Sequence, residues 1–171
     1  LLGIVINYKN DENTYNSSKV VKNKKNNTYV NSDLILGVIG AGQFAQGILL
    51  PTLNRNNINI KSISTNSGFT SLNVAKKYNT INCTSNYREI LNDKEINTVL
   101  IATRHNTHSE ILINSMKKNK NCFMEKPLAL NEKELDDIIK VHNKYNSIVM
   151  VGFNRRFSPL SIKLKDEFNK T

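Results

Sequence analysis

The pattern of apolar and polar positions becomes regular at Leu34. Leu34-Ile35-Leu36-Gly37-Val38-Ile39 is an unbroken apolar run of strand length, as expected of a strand covered on both faces. A glycine turn and a helical pattern near 43–54 follow it. Further strands are predicted at 58–64 (INIKSIS), 97–102 (NTVLIA), 122–125 (CFME) and 147–151 (SIVMV), with helices near 70–78, 107–118 and 132–145. The last helix opens on Asn131, a good cap, with Glu134 as its capping-box partner, and Leu135, Ile138, Ile139 and His142 fall on one face. Strands alternating with helices at this spacing predict βαβ units, hence an α/β fold on a doubly wound parallel (Rossmann) sheet.

Two zones precede this region. Residues 1–8, LLGIVINY, form a short apolar run that reads as a strand, and 9–32 are polar and read as a linker. The chain opens on Leu1 and closes in a charged helix-like stretch, so it reads as part of a longer polypeptide. Its 171 residues, 39% of them hydrophobic, suit one folded domain plus pieces of its neighbours.

Charge and cysteine usage change the picture little. The net charge is +10, but the lysines are dispersed and no basic block interleaves with aromatics, so a nucleic-acid partner is not expected. No apolar run approaches the roughly 18 residues of a membrane span. Cys83 and Cys122 lie far apart without a CxxC partner and read as small apolar residues of a reducing, cytoplasmic compartment.

The candidate chemistry lies at strand ends. Gly40-Ala41-Gly42-Gln43-Phe44-Ala45 is a GxGxxA turn between the first strand and first helix. Gly40 permits the tight turn, Gly42 a close backbone approach to a pyrophosphate, and Ala45 close helix–strand packing; Gln43 and Phe44 are further candidates for cofactor contact. The phosphate would meet free amides at the helix N-terminus. The end of the second strand usually separates NAD from NADP, by an acid for ribose hydroxyls or a cation for a 2′-phosphate. Here it reads Ser64-Thr65-Asn66-Ser67, whose hydroxyls and amide can serve either, so both cofactors stay open, with the missing carboxylate leaning toward NADP or dual use. The run ending in Glu125-Lys126-Pro127 carries two opposite charges to the C-terminal end of a strand, where ligand crevices of parallel sheets lie. A lysine there can hydrogen-bond a substrate oxygen and exchange its proton, with Glu125 holding a ribose or balancing the charge. An exposed Glu-Lys pair stopped by proline is the plainer alternative.

With these residues in view, the chain resembles the Gfo/Idh/MocA oxidoreductases. The resemblance runs from Leu36 to about Leu164 and rests on GVIGAGQFA, IATRHNTHSEI, MEKPLA and VGFNRRFSP. It implies an NAD(P)-binding domain over 33–152, the start of a C-terminal α/β substrate domain over 153–171, and hydride transfer to or from a sugar, cyclic polyol or related small molecule. Lys126 then contacts the reacting hydroxyl, and a cis bond precedes Pro127. Ala102 and Thr103 line the cofactor, His108 stands at the family's histidine, and Arg155 lies near the substrate. Arg104 and His105 depart from the usual Pro-Asn and resemble the branch fused to a zinc-type alcohol dehydrogenase domain, of which LLGIVINY would be the tail. His105 and His108 contact cofactor or simply cap a helix; with no third ligand nearby they do not read as a metal site. Arg155 is as compatible with a solvated junction as with substrate. The family's DxxxH histidine is missing between Pro127 and Thr171, so the chain is expected to hold half a site and to be inactive alone. A catalytically silent nucleotide-binding module is the alternative. A methyltransferase shares the glycine turn but has no use for EKP.

Overall fold

In the computed structural model, which describes residues 20–22 and 33–169, the buried runs lie side by side in one sheet of seven strands. These are β1 (Val20–Lys22), β2 (Leu36–Ile39), β3 (Ile60–Ser64), β4 (Asn82–Thr84), β5 (Thr98–Ile101), β6 (Asn121–Glu125) and β7 (Val149–Gly152). Their spatial order is β1-β4-β3-β2-β5-β6-β7, with every pair parallel except β1 and β4. The chain steps outward from β2 to β4, crosses back to β5 on the other side of β2, and steps outward again to β7. The order therefore reverses between β2 and β5, where the connections leave in opposite directions and open a crevice at the carboxyl ends.

Alternation along the strands divides the core in two. Leu36 and Val38 of β2 and Leu100 of β5 pack with Leu50, Ile63 and Val74 on one face. Ile39, Val99, Ile101, Cys122 and Met124 pack with Ile90, Leu112 and Met116 on the other. Both faces are apolar because helices cover both: α1 (Leu50–Arg55) and α2 (Gly68–Lys77) against the first cluster, and α3 (Tyr87–Asn92), α4 (His108–Lys117) and α5 (Glu132–His142) against the second. α6 (Pro159–Phe168) closes the described chain, with Leu160, Leu164 and Phe168 all exposed.

Asparagine has a specific use here. Asn57, Asn79 and Asn119 have φ of 56°, 52° and 54°, and each stands one residue past a helix C-cap, after α1, α2 and α4. The next amide closes back on the helix each time: Ile58 N to Leu53 O, Thr80 N to Ala75 O, and Lys120 N to Ser115 O, at 3.0, 3.0 and 3.1 Å. These are Schellman closures in which asparagine replaces the usual glycine, and β3, β4 and β6 begin two or three residues after the asparagine.

Several expectations change. Residues 20–22, within the segment read as linker, form the antiparallel edge strand β1; residues 1–8 and the rest of 9–32 lie outside the described residues. β4 and α3 were not predicted: NCT and YREILN are too short to show a period, and pairing with β3 defines the one, packing against β2 and β3 the other. On α5 only Ile138 of the predicted face is buried; Leu135, Ile139 and His142 are exposed because α5 sits at the outer edge, against α4. Its cap forms with Asn131 Oδ1 accepting from Glu134 N at 2.9 Å, while Glu134 Oε2 accepts from Leu130 N rather than Asn131 N.

Cys122 faces the core and is 3% exposed, and burial pushes its thiol up to about 12. A thiol protonated more tightly in the folded than in the unfolded chain stabilises the fold at low pH and loses that contribution as pH rises from about 8.5, the unfolded value, toward the folded one, by up to about 1.4 kcal/mol per pH unit. Urea unfolding of wild type and Cys122→Ala between pH 8 and 10 should therefore show wild-type stability falling relative to the variant; parallel curves would refute this.

Candidate active site

The glycine turn follows from the register of β2. Ile39 pairs with Ser64 and Ile101, and beyond it Gly40 N donates to Ser64 O at 2.8 Å while Ala102 N donates to Ile39 O at 2.8 Å. Gly40 has φ +93°, and a Cβ there would lie 2.5 Å from Ala102 O. Only glycine fits so tight a turn against the end of β5. At Gly42 a Cβ would meet nothing within 4 Å, so no protein packing demands glycine there. Its open flank is what a closely approaching ligand needs.

The chain is helical from Gln43, and its first amides precede the hydrogen-bond ladder. That ladder widens into a π-helical turn at Ala45–Leu49, with Leu50 N bonded to Ala45 O. Pro51 explains it: lacking an N–H, it cannot bond the carbonyl of Gly47, and the wider turn relieves the ring from that carbonyl. Gln46 Nε2 donates to Ala41 O at 2.7 Å and steadies the turn from inside.

The ends of β2, β5, β6 and β7 enclose a cavity of about 870 Å³. Gly42, Gln43, Phe44 and Ala45 line one wall, Ala102, Thr103, His105 and His108 a second. Glu125 and Lys126 form a third, and Gly152, Phe153, Asn154, Arg155 and Arg156 a fourth. Predicted site residues from four separate motifs thus share one cleft. Thr65, Asn66 and Ser67 do not line it: they stand beyond β3, beside Gly40, where Thr65 Oγ1 donates to Ser67 O at 2.7 Å and Ser67 caps α2.

Lys126 is exposed at the cavity edge, while Glu125 beside it is 8% exposed. Among the described residues Glu125 makes no ion pair with Lys126; its Oε1 accepts from Asn154 Nδ2 at 3.0 Å. Gly152 pairs with Glu125, and a Cβ there would lie 2.8 Å from the same oxygen, so glycine makes room for the carboxylate. The expected cis bond joins Lys126 and Pro127. Asn154, Gly152, Phe153 and Arg156 are site residues the sequence reading did not single out, although the GFNRRF run contains them. The Arg156 guanidinium lies 5.4 and 5.8 Å from the Phe153 and Phe157 rings, leaving Arg155 as the other arginine of that wall.

The two histidines differ. His105 is exposed, whereas His108 is wholly buried, its ring 5.6 Å from that of His105. Thr107 Oγ1 lies 2.8 Å from both Thr103 Oγ1 and Arg104 O, which fixes the loop carrying them. Among the described residues no three His, Cys, Asp or Glu side chains are grouped to hold a metal, and no helix is long and apolar enough to cross a membrane.

At the opposite strand ends, buried cations brace the loop before β5. Lys120 Nζ donates to Asp93 O and Ile96 O at 2.7 and 2.6 Å, and desolvation holds its pKa below the ordinary lysine value. At Lys61, desolvation is outweighed by paired Asp93 and Glu95, both 2.7 Å away, and the pKa is raised.

The turn and cavity fit a dinucleotide: an open flank at Gly42, leading helix amides for a pyrophosphate, and Lys126 farther along the cleft. Comparison with known proteins agrees. The family model described as "Oxidoreductase family, NAD-binding Rossmann fold" matches residues 34–153. Myo-inositol 2-dehydrogenase of Thermotoga maritima is 41% identical over 78 residues, which are 46% of this chain and 23% of that protein. The crystal structure of a probable dehydrogenase from Thermotoga maritima superposes with a TM-score of 0.73 at 31% identity, covering 80% of this chain and 41% of that one. Levoglucosan dehydrogenase, in complex with NADH and levoglucosan, superposes with a TM-score of 0.72 at 27% identity, covering 80% and 39%. The chain therefore spans less than half the length of these proteins. Its residues 34–153 place it in the Gfo/Idh/MocA oxidoreductase family, as the NAD-binding Rossmann fold of that family.

Proposed function

We propose that this chain is the cofactor-binding half of an NAD(P)-dependent oxidoreductase acting on a sugar, a cyclic polyol or a related small hydroxy compound. One observation carries the reading: the glycine turn, the end of β5 and Lys126 converge on a single cleft where strand order reverses. A bound nicotinamide dinucleotide supplies the hydride acceptor or donor. Gly40 and Gly42 shape the turn that receives its phosphates, and the amides of residues 43–45 face their charge. Ala102, Thr103 and His105 form the wall between turn and lysine. Lys126 donates a hydrogen bond to the reacting oxygen and exchanges its proton, and Arg155 orients the rest of the substrate through its fork of donors. Glu125, held by Asn154, accepts from a ribose hydroxyl. Thr65, Asn66 and Ser67, beyond β3, meet the adenosine end, where NAD and NADP differ.

In this reading residues 33–152 form the cofactor domain, and 153–171, with their exposed apolar stripe on α6, begin the part that covers the substrate. Buried free Cys83 and Cys122 suit a reducing compartment such as the cytoplasm. Titration of the chain with NADH and NADPH, followed by nicotinamide fluorescence, should show saturable binding of at least one. Binding of neither overturns the proposal.

A further inference from the structure

His108 stands in the wall of the cleft yet has no exposed surface, and both its ring nitrogens are already engaged by protein. Nδ1 lies 2.7 Å from Pro127 O and Nε2 lies 3.2 Å from Thr103 O. A carbonyl oxygen only accepts, so the shorter contact requires the proton on Nδ1. His108 is the first residue of α4, and its ring reaches to the residue after Lys126.

Its placement is where the sheet stops helping. The β5–β6 ladder ends with Ile101 opposite Met124, and Glu125 then pairs on its other side with Gly152. Thr103 and Pro127 are past that ladder, on two connections that leave the sheet independently. The imidazole lies between them, and its Nδ1–H ties the Pro127 carbonyl to the start of α4, which stands in for the missing strand pairing. Without an N–H there, the Pro127 carbonyl is left unpaired beside the core, and it relieves that by turning toward water. Turning Pro127 rotates the peptide that joins it to Lys126.

We propose that His108 is a positioning residue for Lys126: it touches no ligand, and it holds the Pro127 carbonyl so that the lysine stays directed into the cleft. The inference rests on the reading of Lys126 as the group that meets the reacting oxygen. It assigns the Nδ1–H the decisive role and the Thr103 contact a secondary one.

The test uses the isotope-labelled chain, three His108 variants and Lys126→Met, with NADH affinity measured by fluorescence and the Lys126 ε-methylene signal followed by NMR as NADH is added. Lys126→Met identifies that signal. In wild type NADH should bind and the signal should move. In His108→Leu and His108→Gln, binding should stay within about threefold, the change expected when no direct ligand contact is lost, while the Lys126 response disappears. His108→Asn, whose amide nitrogen falls near the Nδ1 position, should restore the response. A Lys126 response in His108→Leu equal to wild type overturns the proposal. So does a loss of affinity of about tenfold or more in all three variants with the fold intact, which would make His108 a ligand contact. Loss of the folded amide spectrum in all three, Asn included, overturns it as well by making the ring a core element. If wild type binds neither NADH nor NADPH, the cofactor reading fails and takes this inference with it; binding with an indifferent Lys126 defeats the inference alone.

Discussion

In an enzyme completed by the substrate-covering part proposed above, replacing Lys126 by methionine is expected to lower NAD(P)-coupled turnover of a polyol or sugar by about 10²–10⁴-fold, the usual contribution of a positioned proton-transfer group. Cofactor affinity should stay within about threefold, because the phosphate turn and the helix amides that dominate dinucleotide binding are untouched. The split follows from the geometry. Lys126 is exposed at the rim of the cleft and forms no ion pair among the described residues, so its removal leaves no buried partner behind. Methionine keeps most of the stem and deletes only the ammonium. Comparing NADH titrations with steady-state rates tests both halves. An unchanged rate would remove Lys126 from the chemistry, and a parallel collapse of affinity would make it a cofactor ligand.

Gly40→Ala should affect the fold and the site together. The new Cβ would stand 2.5 Å from Ala102 O and 2.8 Å from Thr103 N, at φ +93°. Those neighbours are backbone atoms of β5 and its exit loop, so neither a rotamer change nor a flexible tip can relieve the clash. Strain at an unfavourable φ and overpacking each cost about 1–3 kcal/mol, giving a loss of roughly 2–6 kcal/mol in urea unfolding. The relief must push β2 and β5 apart at the switch point, and displacement on the order of 1 Å costs about 10²-fold in function where alignment matters. Gly42→Ala provides the contrast. Its Cβ enters open space, so stability should stay within about 0.5 kcal/mol while cofactor affinity falls, because the methyl occupies the ligand's approach. Equal effects of the two substitutions on stability would refute this account of the turn.

The two glycines show how far the sequence could be read. Both were assigned to one motif, with Gly40 for the turn and Gly42 for close approach, and the structure gives each a different reason for lacking a side chain. The strands that carry the site were legible for a simple cause: β2, β5 and β6 are covered on both faces, so their apolar runs are continuous and need no partner to be recognised. β4 and β1 were not legible. Cys83 and Thr84 are buried because β3 lies beside them and α2 over them, and Val20–Lys22 is a strand because β4 offers it an edge. Asparagine is too abundant along the chain for any one position to stand out. At Asn57, Asn79 and Asn119 the left-handed backbone makes it the residue that ends a helix and starts the next strand on time.

By itself the sequence determined the βαβ alternation, the GxGxxA turn and the arrival of Lys126 at a strand end. These follow from local periodicity and from two residues that act on the backbone where they stand, glycine by permitting turns closed to other residues and proline by fixing φ. Only the tertiary structure decided that turn, β5 loop, lysine and GFNRRF segment share one cleft, because strand order is set by long-range pairing. It also separated two histidines that look alike in the chain. His105 is left exposed at the cavity wall, while packing buries His108 between two carbonyls and gives its ring a partner on each side.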